Sequence, residues 1–133
     1  MGARIFFLGI TSGLLAAVAA FVFQRVHHFA TYADFSGIVT IPVLLAVNLG
    51  VCMIASYVFW ALLHWLGRTG EIIFNILFVI ASFASITWSF AVTLPLNIEF
   101  PELFPGLTVP MHFFPALLWF ACKPLFISNQ KSK

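Results

Sequence analysis

Four long apolar stretches dominate the pattern of hydrophobic and polar positions along the chain. Polar breaks near residues 31–37, 67–71 and 96–106 separate them. Because roughly 20 apolar residues in a helix cross the hydrocarbon core of a bilayer, each stretch is long enough for one crossing. The pattern predicts one all-α polytopic membrane domain, a bundle of four transmembrane helices with spans over about residues 5–28, 38–66, 72–94 and 107–127.

The composition favours lipid as the solvent of these helices. Of the 133 residues, 62% are hydrophobic and only 8% are charged. A water-soluble core of a chain this short could not bury so much apolar surface. The net charge of +2 comes from scattered basic residues without a basic patch, so we expect no nucleic-acid partner.

The basic residues also predict an orientation in the membrane. Only Arg25 lies at one set of span ends, and the other set carries Arg4, Arg68, Lys123, Lys131 and Lys133. Lys and Arg are enriched at the cytoplasmic ends of spans. We therefore expect both termini in the cytoplasm.

The first span carries small side chains along one helical face. At 100° per residue this face includes Gly9, Gly13, Ala16, Ala17 and Ala20. Small residues let helix backbones approach closely, and in lipid this close contact is a main source of helix association. We predict that the first span is a central packing element, either within one copy or between copies.

Polar side chains occur inside the second and third spans. Asn48 lies near the middle of the second, and Ser82, Ser85 and Ser89 share one face of the third. Interhelical hydrogen bonds of such groups contribute only about 1 kcal/mol. Helix packing is therefore our interpretation of these residues, with substrate contact as the alternative.

Imidazoles and carboxylates collect at the predicted outer side, a set that we call the outer cluster: His27, His28, Asp34, Glu99, Glu102 and His112. Such groups can bind a transition metal, relay protons or ligate a haem. The alternative is a set of interfacial side chains bonded to headgroups or loop carbonyls. His27 and His28 point about 100° apart on a helix, and no His-x-x-x-His pair occurs, so no cofactor is our expectation.

The sequence around Pro115 is a further candidate for a ligand-binding site. A proline there removes the hydrogen bond that its amide would make to the carbonyl of Met111, so we expect the fourth helix to bend beside His112. A bend next to a histidine is where a cavity can open. A lipid or a small hydrophobic molecule is the ligand that such a cavity would take.

With Met111-His112 near the start of the last span, the whole pattern resembles uncharacterised families of small bacterial four-span membrane proteins. The resemblance implies the architecture and no activity. No Gly-x-Ser-x-Gly motif and no Gly-rich phosphate loop occurs in the sequence.

We therefore predict a non-enzymatic structural or accessory protein of the bacterial cytoplasmic membrane, acting as a homo-oligomer or as a subunit of a larger membrane complex. The alternative is a small redox, metal-binding, haem-binding or transport protein that uses the outer cluster.

Overall fold

Residues 2–127 fold into four antiparallel α-helices. The computed structural model describes residues 2–127, with α1 at Gly2–Thr31, α2 at Ile41–Leu66, α3 at Arg68–Ala91 and α4 at Phe104–Phe126, and a 3-10 turn at Pro101–Leu103. No strand occurs in this range. The helices are long and apolar enough to cross a membrane. The predicted all-α class, with four long apolar helices, is confirmed.

The connectors are where the helix ends differ from the predicted spans. Gly67 alone separates α2 from α3, and its φ of +57° lies in a region that favours glycine. The break between the second and third spans, expected near residues 67–71, is therefore shorter, and α3 begins at Arg68. The last connector keeps its predicted length but lies three residues earlier, because α3 ends at Ala91 and α4 begins at Phe104, with Pro105 in its first turn, where an amide has no helical partner to lose.

The helices form a ring in which α1 and α3 lie opposite each other. α1 packs against α2 and α4, α3 packs against the same two helices from the other side, and α2 also touches α4. α1 has nine buried residues and α3 has four. α1 therefore has the most buried residues of the four helices, and α3 has the fewest.

The core consists of two clusters, one toward each end of the bundle. The cluster at the end of the bundle where α1 begins contains Ile5, Leu8, Cys52, Ala55, Phe59, Phe74, Trp119 and Cys122. The other contains Ala20, Ala33, Phe35, Val39, Leu44, Phe104 and Leu107, with Val92 and Ile98 packed against it. This second cluster includes residues of both long connectors, so we call its side of the molecule the connector end.

The outward faces of the helices are apolar. Large side chains such as those of Val18, Ile54, Ile80 and Leu117 are 57–66% exposed. Most polar groups inside the bundle bond to neighbouring residues, as in the hydrogen bond from Gln24 Nε2 to the carbonyl of Val39, 2.7 Å long. The molecule thus has the surface expected of a protein whose surroundings are hydrocarbon.

Candidate functional site

A cavity of about 370 Å³ lies between α2, α3 and α4, in the half of the bundle nearer the connector end. Its wall is mostly aliphatic, and its polar lining residues are Asn48, Ser82, Ser85, Thr108 and His112. The volume falls in the range of about 300–1,000 Å³ that is typical of small-molecule sites. We call this space the central cavity.

Proline chemistry shapes one wall of the central cavity. Met111 and Pro115 both line it, and α4 continues as a helix through Pro115. Because Pro115 has no N–H, the carbonyl of Met111 lacks its usual helical donor. On the opposite side of the wall, the Cys52 thiol donates weakly to the carbonyl of Pro115 across 3.7 Å. The cavity therefore lies at the place that the sequence indicates, beside Pro115 and His112.

Asn48 is the most deeply buried polar residue of the lining, with 4% of its surface exposed. Its Nδ2 donates to the carbonyl of Leu44, one turn back in α2, over 2.7 Å. Its Oδ1 is buried and has no hydrogen-bond partner among residues 2–127. An unpaired buried acceptor costs about 1–3 kcal/mol.

His112 contributes a second acceptor. Its Nδ1 lies 2.7 Å from the carbonyl oxygen of Thr108 and 3.4 Å from Oγ of Ser89. A carbonyl can only accept, so Nδ1 carries a proton, and in the tautomer with that single ring proton Nε2 keeps a lone pair. Since Nδ1 is turned to its own helix, Nε2 lies on the far side of the ring, away from the α4 backbone.

The hydroxyl groups that line the central cavity donate their protons to backbone carbonyls of their own helices. Ser82 donates to the carbonyl of Phe78 over 2.9 Å, and Ser85 donates to the carbonyl of Ser82 over 2.8 Å. Thr108 donates to the carbonyl of Phe104 over 3.1 Å. Each hydroxyl has one proton, so only its oxygen lone pairs remain for other partners.

The outer cluster is divided among several places at the connector end. His27, His28 and Asp34 line a small cavity of about 50 Å³ beside the end of α1. His28 Nδ1 lies 3.1 Å from the carbonyl of Ala33, and the Ser36 amide donates to Asp34 Oδ1 over 2.9 Å. Hydrogen bonds from Ser36 lower the pKa of the Asp34 carboxyl, so it is ionised at neutral pH.

The other members of the outer cluster lie apart from this small cavity. Glu99 and Glu102 are exposed, in the last connector and in the 3-10 turn, and His112 lines the central cavity. Within residues 2–127 no three His, Cys, Asp or Glu side chains come close enough to hold one metal ion. A metal or haem role of the outer cluster stays a prediction from the sequence.

The small-residue face of α1 packs inside the chain. Gly9, Gly13, Ala16, Ala17 and Ala20 are all buried. Side-chain or backbone atoms of residues 48, 49, 52, 53 and 56 lie within van der Waals reach of the two glycines, so the partner of this face is α2. The contact with α2 leaves these glycines unavailable for contact with a second copy.

Two polar contacts were not evident from the sequence. Trp119 Nε1 donates to Ser56 Oγ over 2.9 Å, and Lys123 Nζ pairs with Glu71 Oε1 at 2.5 Å. Both join α4 to another helix across at least 52 residues of sequence. The one available signal is the position of Trp119, seven residues after His112 and therefore on the same helical face.

Comparison with protein families, with curated proteins and with solved structures found no match to this chain.

Proposed function

We propose that the protein is a non-enzymatic integral membrane protein that holds a lipophilic molecule in the central cavity. The observation that carries this proposal is the cavity itself, with an aliphatic wall and the unpaired Oδ1 of Asn48. When four apolar helices cross a bilayer, the hydrocarbon tails of the lipids surround the bundle and the cavity within it. Lipophilic molecules are concentrated in that environment, so a ligand would reach the cavity from the membrane.

The proposed orientation places both termini in the cytoplasm of a bacterium, with the helices in its cytoplasmic membrane. Arg4, Arg68 and Lys123 lie at the end of the bundle opposite the connectors. Asp34 and Glu99 lie at the connector end. An excess of basic residues favours the cytoplasmic side of a membrane, and the central cavity would then lie in the outer leaflet.

The test is native mass spectrometry of the protein purified in lipid nanodiscs. We expect a stoichiometric mass adduct on the wild-type chain. Ala81 lines the central cavity and Ala84 does not, although both are exposed residues of α3. Ala81→Phe should therefore reduce the adduct by about tenfold or more, which corresponds to a loss of about 1.4 kcal/mol in binding, and Ala84→Phe should retain it.

Equal adducts on both variants, or no adduct on the wild-type chain, would contradict the proposal. The two variants introduce the same side chain into the same helix. A difference between them therefore reports on the cavity and not on the hydrophobicity of α3.

A structural or accessory role beside other membrane proteins is the second candidate. It is favoured by α3, which has only four buried residues among its 24. Side chains of Ile76, Ile80 and Phe83 form an exposed stripe on this helix, 56–61% accessible. Two copies of the chain could associate about a two-fold axis through this stripe alone. The same mass spectra report the number of copies, so a single unassociated chain at all concentrations would contradict this candidate.

A further inference from the structure

We infer that the molecule held in the central cavity is uncharged and donates a hydrogen bond to Asn48 or His112, through a hydroxyl or an N–H group at one end of an apolar body. This inference rests on the proposed function, because it specifies the chemistry of the same site.

The polar atoms that the lining leaves without a partner are acceptors. Oδ1 of Asn48 is buried without a donor among the described residues, and the bond from Nδ1 of His112 to the Thr108 carbonyl leaves Nε2 with a lone pair. The three hydroxyls of the lining already give their protons to carbonyls of their own helices. A molecule that complements these groups must bring the proton.

The charge of the lining determines the charge of the ligand. The residues around the central cavity include no Asp, Glu, Lys or Arg. An ionised group placed there would lose its hydration without gaining an ion-pair partner, which is strongly unfavourable. An aliphatic alcohol and a phenol both meet the requirement, whereas a fatty-acid carboxylate or a phosphate headgroup does not.

The size of the cavity limits the part of the ligand that it encloses. About 370 Å³ is enough for a single ring or a short chain, and much smaller than a whole membrane lipid. The hydroxyl end of a ligand would therefore be enclosed next to Asn48 or His112, and a longer tail would extend between the helices into the bilayer.

The experiment compares molecules that differ only in the donor. Wild-type protein in nanodiscs is incubated with equimolar decanol and decyl methyl ether, and separately with 4-octylphenol and 4-octylanisole, and bound masses are read by native mass spectrometry. We expect the donor of each pair to be retained about tenfold or more over its methyl ether, because the ether leaves the buried acceptor unpaired. A preference only in the decanol pair would indicate an aliphatic alcohol as the ligand, and a preference only in the octylphenol pair would indicate a phenol.

Variants test whether Asn48 and His112 are the acceptors that cause the preference for the hydroxyl compound over its methyl ether. Asn48→Leu and His112→Phe should each reduce it, while Asn75→Leu and His28→Phe, outside the central cavity, should preserve it. Equal retention of both members in both pairs would overturn the donor requirement and leave the proposed function standing. No retention of any probe would overturn both. A preference that survives Asn48→Leu and His112→Phe would also overturn the inference.

Discussion

Trp119 is the side chain through which three helices meet. It is completely buried, and its indole N–H donates to Ser56 in α2. Its ring centroid lies 4.8 Å from that of Phe74 in α3 and 5.1 Å from that of Phe59 in α2. Aromatic pairs at these distances contribute about 0.5–1.5 kcal/mol beyond the burial of their area. One residue of α4 thus packs against both α2 and α3 and donates a hydrogen bond to α2.

Removing the acceptor of the Trp119 indole should destabilise the bundle. Ser56→Ala leaves a buried N–H without a partner, so we expect a loss of about 1–3 kcal/mol in the free energy of unfolding. The measurement is chemical unfolding in mild detergent followed by circular dichroism. Ser85→Ala is the matched control, because the Ser85 hydroxyl bonds only within α3, and it should be nearly neutral. Equal losses in both variants would show that the Trp119 contact contributes no specific stability.

The sequence could indicate Trp119 as an inward residue but not its partner. Its position on the face of His112 follows from helical periodicity, whereas Ser56 is 63 residues away. The same limit applies to His112, since its proximity to Pro115 follows from the sequence but its contact with Ser89 in α3 does not. Periodicity gives the face of a helix, and pairing between distant helices depends on tertiary packing that one sequence does not report.

The contact of α1 with α2 is built on close backbone approach. A Cβ added at Gly13 would lie 2.8 Å from Cα of Leu49, and one added at Gly9 would lie 2.7 Å from Oγ of Ser56. The nearest neighbour at Gly13 is backbone, and the nearest neighbour at Gly9 is a hydroxyl whose rotation would break the hydrogen bond from Trp119. The sequence predicted a packing face here, but not that α2 would occupy it.

Gly13→Ala and Gly9→Ala should therefore both be destabilising. The added methyl group forces α1 and α2 apart, and we expect a loss of about 1–3 kcal/mol, typical of overpacking. Gly50→Ala is the control in α2, because no atom lies within 4 Å of its added Cβ, and it should be neutral or stabilising by up to about 1 kcal/mol. Unfolding in mild detergent measures all three variants. A Gly13→Ala protein as stable as the Gly50→Ala protein would contradict the close approach of the two helices.

At the scale of the whole molecule, an even number of antiparallel helices brings distant residues to common ends. Ala33 and Phe35 of the first connector pack in the same cluster as Ile98 and Leu103 of the last. The sequence predicted this grouping from the number of apolar stretches alone. It could not predict that His112 would separate from His27 and His28, because that depends on which helices enclose the central cavity.

The arrangement predicts which exposed residues share a side of the membrane. Single cysteines at Ser36, Glu99 and Thr69 can be introduced into a chain whose two buried native cysteines, Cys52 and Cys122, are replaced by alanine. In intact cells a membrane-impermeant maleimide should label Ser36→Cys and Glu99→Cys, because the basic residues favour a cytoplasmic position for the opposite end. Thr69→Cys, in the first turn of α3, should react only after the cells are permeabilised.

The pattern of labelling separates the fold from its orientation. Because Ser36 and Glu99 follow α1 and α3, a bundle of four crossings must place both on one side, whichever side that is. If Thr69→Cys alone were labelled in intact cells, the orientation would be the opposite of the one proposed, and the central cavity would lie in the inner leaflet. The donor chemistry of its ligand would be unchanged. Labelling of Ser36→Cys without Glu99→Cys would mean that α2 and α3 do not both cross the membrane, and a cavity enclosed by α2, α3 and α4 within the bilayer could not then exist.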